Sequence, residues 1–150
     1  MRICFFGHRN FQASREMENK LISIIEEYTD GCDHEFFFGG YGAFDDFAFR
    51  CAKKIRSVNR ARMIYVTPYI TESYLKNQME YHQNKYDEII YPEIENTPLR
   101  FAISARNKWV AKESDVVICY INHAFGGAYD AVKYAKSKEK VIINLGNLKI

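Results

Sequence analysis

Residues 36–45 read Phe36-Phe37-Phe38-Gly39-Gly40-Tyr41-Gly42-Ala43-Phe44-Asp45. Three consecutive phenylalanines form a run too apolar for a surface and too short for a buried helix. They predict a strand buried on both faces. The glycines stop that strand, and Phe44, Phe47, Ala48, Cys51, Ile55 and Val58 then recur at helical spacing. Strand, glycine turn and helix in that order are half of a βαβ unit, so the rest of the chain should supply parallel partners.

It does so in both directions. Upstream, Ile3-Cys4-Phe5-Phe6 is a short apolar run stopped by Gly7, and Met17, Leu21, Ile24, Ile25 and Tyr28 follow as a helical stripe ending at Asp30-Gly31. Downstream, Met63-Ile64-Tyr65-Val66 is a strand closed by Thr67-Pro68. Leu99, Ala102, Ile103, Trp109 and Val110 mark a helix, and Val116 to Ile121 is the longest apolar strand, expected at the centre of the sheet. After the loop Asn122-His123-Ala124-Phe125-Gly126-Gly127, a helix runs through Tyr134 and Ala135, and Val141-Ile142-Ile143 is the last strand. This alternation predicts one α/β domain over residues 1–150, a Rossmann-like three-layer fold with a mainly parallel central sheet flanked by helices.

One stretch breaks the rhythm. Residues 67–97 carry Tyr69, Tyr74, Tyr81, Tyr86 and Tyr91 with weak periodicity, and Thr71 is placed to cap a short helix through about Gln83. Long irregular insertions in compact domains are often binding loops, so this Tyr-rich segment is expected to form a lid, with a passive surface excursion or a partner surface as alternatives.

Composition narrows the function classes. Hydrophobic residues make up 47% and charged residues 27% of the 150, ordinary for a globular protein with its own core. The 15% aromatic share is high and is expected mainly in that core. A net charge of +2 with dispersed basic residues makes a nucleic-acid partner unlikely on charge alone. The densest basic run, Lys53 to Arg62, reads as a solvated helix end. Cys4, Cys32, Cys51 and Cys119 form no ligand spacing, and Cys4 and Cys119 lie in apolar runs as small hydrophobes. No metal site, signal peptide or membrane span is expected, and free thiols fit a cytoplasmic protein.

In a parallel sheet, ligands bind where loops leave the C-terminal ends of the strands. Three loops fall there: Gly7-His8-Arg9-Asn10, Gly39-Gly40-Tyr41-Gly42 and Phe125-Gly126-Gly127. The two glycine loops each open a helix, where free N–H groups favour an anion. Asp45 lies in the first turn after the first of them. It serves either the helix dipole or a ligand, as an acceptor of ribose hydroxyls or an acid–base carboxylate. Asp46 reads as a plain helix-start charge. His8 directly follows a strand and can touch ligand, whereas His34, His82 and His123 read as surface or loop residues. Arg106 and Asn107 interrupt their helix's apolar stripe, and Arg106 is either a salt-bridge residue or a ligand anchor.

These residues, in order, resemble a known family. Cys4-Phe5-Phe6-Gly7-His8-Arg9, Gly39-x-x-Gly42-x-Phe44-Asp45, Tyr91-Pro92-Glu93, Arg106-Asn107-x-Trp109, Ser114-Asp115, Gly126-Gly127-Ala128 and Ile142-Ile143-Asn144-Leu145 are similar to the pattern of small YpsA-like proteins of the SLOG superfamily, the Smf/DprA and LOG group. The resemblance spans essentially the full chain and implies a nucleotide pocket. The glycine loops would take phosphate and ribose, with Arg106 and Asn107 nearby. Relatives in the LOG branch are phosphoribohydrolases whose second loop reads P-G-G-x-G-T-x-x-E with a catalytic glutamate. Here Phe125, Tyr129 and Asp130 replace the proline, third glycine and threonine, and Val132 and Lys133 occupy the glutamate region. A lysine cannot stabilise an oxocarbenium-like transition state as a carboxylate does.

The expected function is therefore binding of a nucleotide or nucleotide-derived signal by Gly7, His8, Arg9, Gly39, Gly40, Gly42, Asp45, Arg106, Asn107, Gly126 and Gly127, without a resident cofactor. The alternatives are an N-glycoside hydrolase or transferase using Asp45, and an interaction or assembly module. The resemblance also implies a homo-oligomer.

Overall fold

A computed structural model describes residues 1–56 and 60–150. Val58, the last position of the apolar stripe in the second helix, lies outside the described residues. Six strands alternate with helices: β1 (Arg2–Gly7), α1 (Arg15–Thr29), β2 (His34–Phe38), α2 (Ala43–Arg56), β3 (Ala61–Val66), α3 (Glu72–Asn77), α4 (Met79–Lys85), β4 (Glu88–Ile90), a 3-10 turn (Leu99–Phe101), α5 (Ala102–Glu113), β5 (Val116–Tyr120), α6 (Gly127–Ser137) and β6 (Val141–Asn144). The strands form one sheet in the order β4-β3-β2-β1-β5-β6, and every pairing is parallel. The Rossmann-like three-layer architecture read from the sequence is the one observed.

Strand alternation sorts the core into two faces. Ile3, Phe5, Phe36, Phe38, Met63 and Tyr65 point to one side, where they pack with Leu21 and Ile25 of α1 and Phe44, Phe47 and Cys51 of α2. Cys4, Phe6, Phe37, Ile64, Val117 and Cys119 point to the other, against Val110 and Ala111 of α5 and Ala131, Val132 and Ala135 of α6. The aromatic surplus goes chiefly to the first face, where Phe11 meets Phe44 edge-on at 5.1 Å and Phe5 stacks on Phe38 at 5.2 Å. Burial pushes the Cys4 and Cys119 thiols up to about 12, so both behave as inert core residues.

Two details differ from expectation. β5 is interior but lies one strand from the edge, and β1 and β2 hold the centre. A long apolar run reports burial on both faces, which any interior strand of a covered sheet has. The second difference is the Tyr-rich segment. It adds β4, which pairs with β3, and sends Tyr74, His82 and Tyr86 into the interior. The Tyr74 hydroxyl bonds His82 Nδ1 at 3.1 Å, and His82 lies 3.9 Å from the Tyr65 ring. Residues 67–97 are thus a packed extension of the sheet and line no part of the cleft described below. Its apolar positions are divided among a short helix pair and a three-residue strand, too brief for periodicity to declare itself.

Strand order reverses between β1 and β5. Chain connections run outward on one side through β2, β3 and β4, and on the other through β5 and β6. The loops after β1 and β5 therefore diverge at their C-terminal ends and leave a crevice there.

Candidate functional site

That crevice is a cleft of about 510 Å³. Gly7, His8 and Arg9 line it from the β1 loop, Gly39, Gly42 and Asp45 from the start of α2, and Gly126 and Gly127 from the start of α6. Arg106 and Asn107 of α5 close its side. All the ligand residues named from the sequence line it except Gly40. At Gly40 φ is +70° and an added Cβ would stand 2.5 Å from the Tyr65 ring. Its glycine is a packing requirement.

The two glycine loops differ in what their amides do. In the first, Gly39 N–H donates to Asp45 Oδ1 and Gly40 N–H to Asp45 Oδ2, both at 3.0 Å. The loop's anion is the protein's own carboxylate. Burial pushes Asp45 up to about 6, against the downward pull of the Gly39 amide, the Arg106 charge and the Gly40 amide. Behind it, buried Arg106 forms no salt bridge among the described residues: Nη1 donates to the carbonyls of Val66 (2.6 Å) and Gly39 (3.2 Å), and Nε donates to Asn107 Oδ1 (2.9 Å). The guanidinium thus satisfies carbonyls left over where β2 and β3 end. Burial lowers its affinity for its proton, while Tyr65 and Asp45 raise it.

The second loop is open. α6 begins at Gly127 with no side chain capping its first amides. Gly126 has φ 96° and ψ 169°, a region open essentially to glycine alone. An added Cβ at Gly126 or Gly127 would meet nothing within 4 Å. Arg9 faces this space with its guanidinium 5.3 Å from the centre of the exposed Tyr41 ring, and among the described residues it has no carboxylate partner.

The histidines are placed differently from the sequence reading. His34 and His82 are buried, because each follows or faces strand residues and packs on aromatic rings. His123 is half-buried in a loop but lies in the site: its ring stacks on His8 at 3.5 Å and 10°, with exposed Phe125 tilted against it at 4.0 Å. His8 is 6% exposed, and its Nε2 is buried without a hydrogen-bond partner. Sequence reasoning missed His123, Phe125 and Tyr41. The available signal was position, since His123 follows β5 as His8 follows β1 and those strands pair.

No family model matches the chain, and no curated protein matches it in sequence. Solved structures do match. DNA processing protein A from Helicobacter pylori superposes with a TM-score of 0.63 at 19% identity, over 96% of this chain and 64% of that one. The DprA of Streptococcus pneumoniae gives a TM-score of 0.63 at 16% identity, over 95% of this chain and 49% of that one. The fold is the one these proteins share. The chain spans about two thirds to one half of these DprA proteins' length. The molybdenum cofactor carrier protein from Chlamydomonas reinhardtii also matches, with a TM-score of 0.55 at 17% identity, over 95% of this chain and 74% of that one.

These neighbours correct one expectation. The Helicobacter pylori protein is described by its single-stranded DNA binding mode. A protein that shares this fold thus binds nucleic acid, and modest net charge does not remove nucleic acid from the candidate partners. Net charge averages over the surface, whereas a strand samples only the groups along its track. The fold serves proteins described as binding DNA and as carrying a small cofactor. Among the described residues no helix is long and apolar enough to cross a membrane, and no group of three or more His, Cys, Asp or Glu is placed to hold a metal.

Proposed function

We propose that the chain binds a nucleotide or nucleotide-derived small molecule in the cleft, its anionic group on the first amides of α6. The observation that carries this reading is the uncapped, unobstructed start of α6 facing an arginine with no carboxylate partner among the described residues. Unpaired N–H groups and the helix dipole favour negative charge there, and Arg9 supplies a mobile cation at the mouth. Exposed Phe125 and Tyr41 offer flat apolar faces beside the anion position, as a base requires. The volume lies within the usual range for small-ligand sites, about 300–1,000 Å³.

Calorimetric titration with inorganic phosphate, nucleoside mono- and diphosphates, ADP-ribose and a short single-stranded oligonucleotide tests it. Saturable binding of a phosphate-bearing small molecule, lost in Arg9→Gln, is expected. Silence from folded protein across the series overturns it, and binding of the oligonucleotide alone transfers the site to nucleic acid.

One observation favours the enzymatic alternative. Asp45 lines the cleft with its carboxyl pushed up to about 6, the range of a working general acid. Against it, each Asp45 oxygen already accepts a backbone N–H, and Lys133 at the hydrolases' glutamate position is exposed. Release of free base from nucleoside monophosphates, abolished by Asp45→Asn, would establish the enzyme.

A further inference from the structure

We propose that His8 accepts a hydrogen bond from a sugar hydroxyl of the ligand, so that the cleft selects a phosphorylated ribose over its deoxy counterpart. This rests on the anion reading above and adds the group that sets specificity.

His8 is buried at the end of β1, at the switch point of the sheet, and its Nε2 has no partner. Buried polar atoms in native proteins are nearly always paired, so an orphan in a cleft wall calls for a ligand atom. The ring proton is assigned to Nδ1, since Nε2 is the nitrogen left without a partner, and this makes Nε2 the acceptor. Burial and the neighbouring His123 ring hold His8 below the ordinary imidazole range, which keeps it neutral at pH 7.5. A neutral Nε2 repels a phosphate oxygen and accepts from a hydroxyl.

Distance links this acceptor to the anion position. His123 stacks on His8 at 3.5 Å and precedes Gly126 by three residues, a span of at most about 10 Å. His8, Gly126 and Gly127 line the same cleft, so one small molecule can present an anion to α6 and a hydroxyl to His8. The hydroxyl reaches Nε2 by displacing the edge of the His123 ring, a half-buried loop side chain bonded only to Asn122 Oδ1 at 2.8 Å besides its stacking. A site that buries an acceptor discriminates strongly against ligands lacking the donor, because the acceptor is then left unpaired.

The test is calorimetric titration of the full chain at pH 7.5 with inorganic phosphate, ribose 5-phosphate, and its 2-deoxy and 3-deoxy forms. Ribose 5-phosphate should bind at least about tenfold more tightly than one of the deoxy sugars. In His8→Phe, which keeps a ring for His123 to stack on, the three sugars should bind alike. Equal affinity of all three sugars for the unmodified protein overturns the inference while leaving the anion site standing, and needs no variant to fold. A preference that survives in His8→Phe also overturns it. No binding of phosphate or any sugar phosphate removes the anion site and this inference together.

Discussion

Gly39-Gly40-Tyr41-Gly42 and Phe125-Gly126-Gly127 are both glycine turns leading from a parallel strand into a helix, and as sequences they promise the same thing. In the folded protein they diverge. The first spends two amides on Asp45, braces that carboxylate near Arg106, and packs Gly40 against Tyr65. The second leaves its helix start uncapped and faces open space. A glycine-rich helix start is an anion site only if no side chain of the protein arrives first. Asp45, five and six residues downstream, reaches the amides of the first loop, whereas Asp130 in the first turn of α6 does not cap the second.

The comparison breaks most visibly at Gly40. Replacement by alanine forces a Cβ to within 2.5 Å of the Tyr65 ring at φ +70°. Strain and overpacking together should cost about 3 kcal/mol or more in urea denaturation. A loss below about 1 kcal/mol would mean that this turn is as loose as the second one.

Asp45 sharpens the contrast through pH. Its carboxyl titrates at about 6 in the folded protein against an ordinary 3.8. Between about pH 4 and 6 the native state keeps a proton that the unfolded chain has released, so this group's contribution falls as pH rises through that window. Asp45→Asn does not titrate. Relative to it, the unmodified protein should lose about 2 kcal/mol from pH 4 to pH 7, since each pH unit between the two titration points is worth about 1.4 kcal/mol and pH 4 already lies just above the lower one. Parallel stability profiles for the two proteins would show that Asp45 is not a buried internal anion.

Arg9→Gln acts on the other side of the cleft. With no carboxylate partner among the described residues and a guanidinium resting on an exposed ring, Arg9 contributes little to folding. The substitution should leave the melting temperature in place and weaken phosphate binding about tenfold, the loss of one charge-assisted contact. Unchanged phosphate affinity would detach Arg9 from the site.

The layered fold was legible because strand burial and helix periodicity are local patterns: Phe36-Phe37-Phe38 and the stripe from Phe44 to Ile55 state their environment outright. Convergence of the loops after β1, β2 and β5 followed from parallel topology alone. What residues 39–42 do with their amides was not legible, because it depends on the rotamer of Asp45. Arg106 was readable as buried but not as a donor to the carbonyls of Gly39 and Val66, which lie far away in sequence. His123 escaped for a related reason. A histidine in a loop looks solvated until the neighbouring strand is known to end in another ring.

Gly127 offers the smallest effect on stability and the cleanest discrimination between the loops. Gly126 needs its glycine for its backbone angles, whereas no such angle is required at Gly127, and an added methyl there would touch nothing in the protein. Alanine is the better helix former, so Gly127→Ala should leave stability unchanged or raise it by about 0.5 kcal/mol. If the first turn of α6 is where an anion docks, that methyl occupies the approach to the amides. Phosphate affinity should then fall several-fold in calorimetry while the melting temperature holds or rises. A folding interaction cannot produce that pair of results, since anything Gly127 did for the fold would be lost along with the binding. Phosphate binding that ignores the methyl would leave the second loop as self-contained as the first, and the difference between them would be only one of packing.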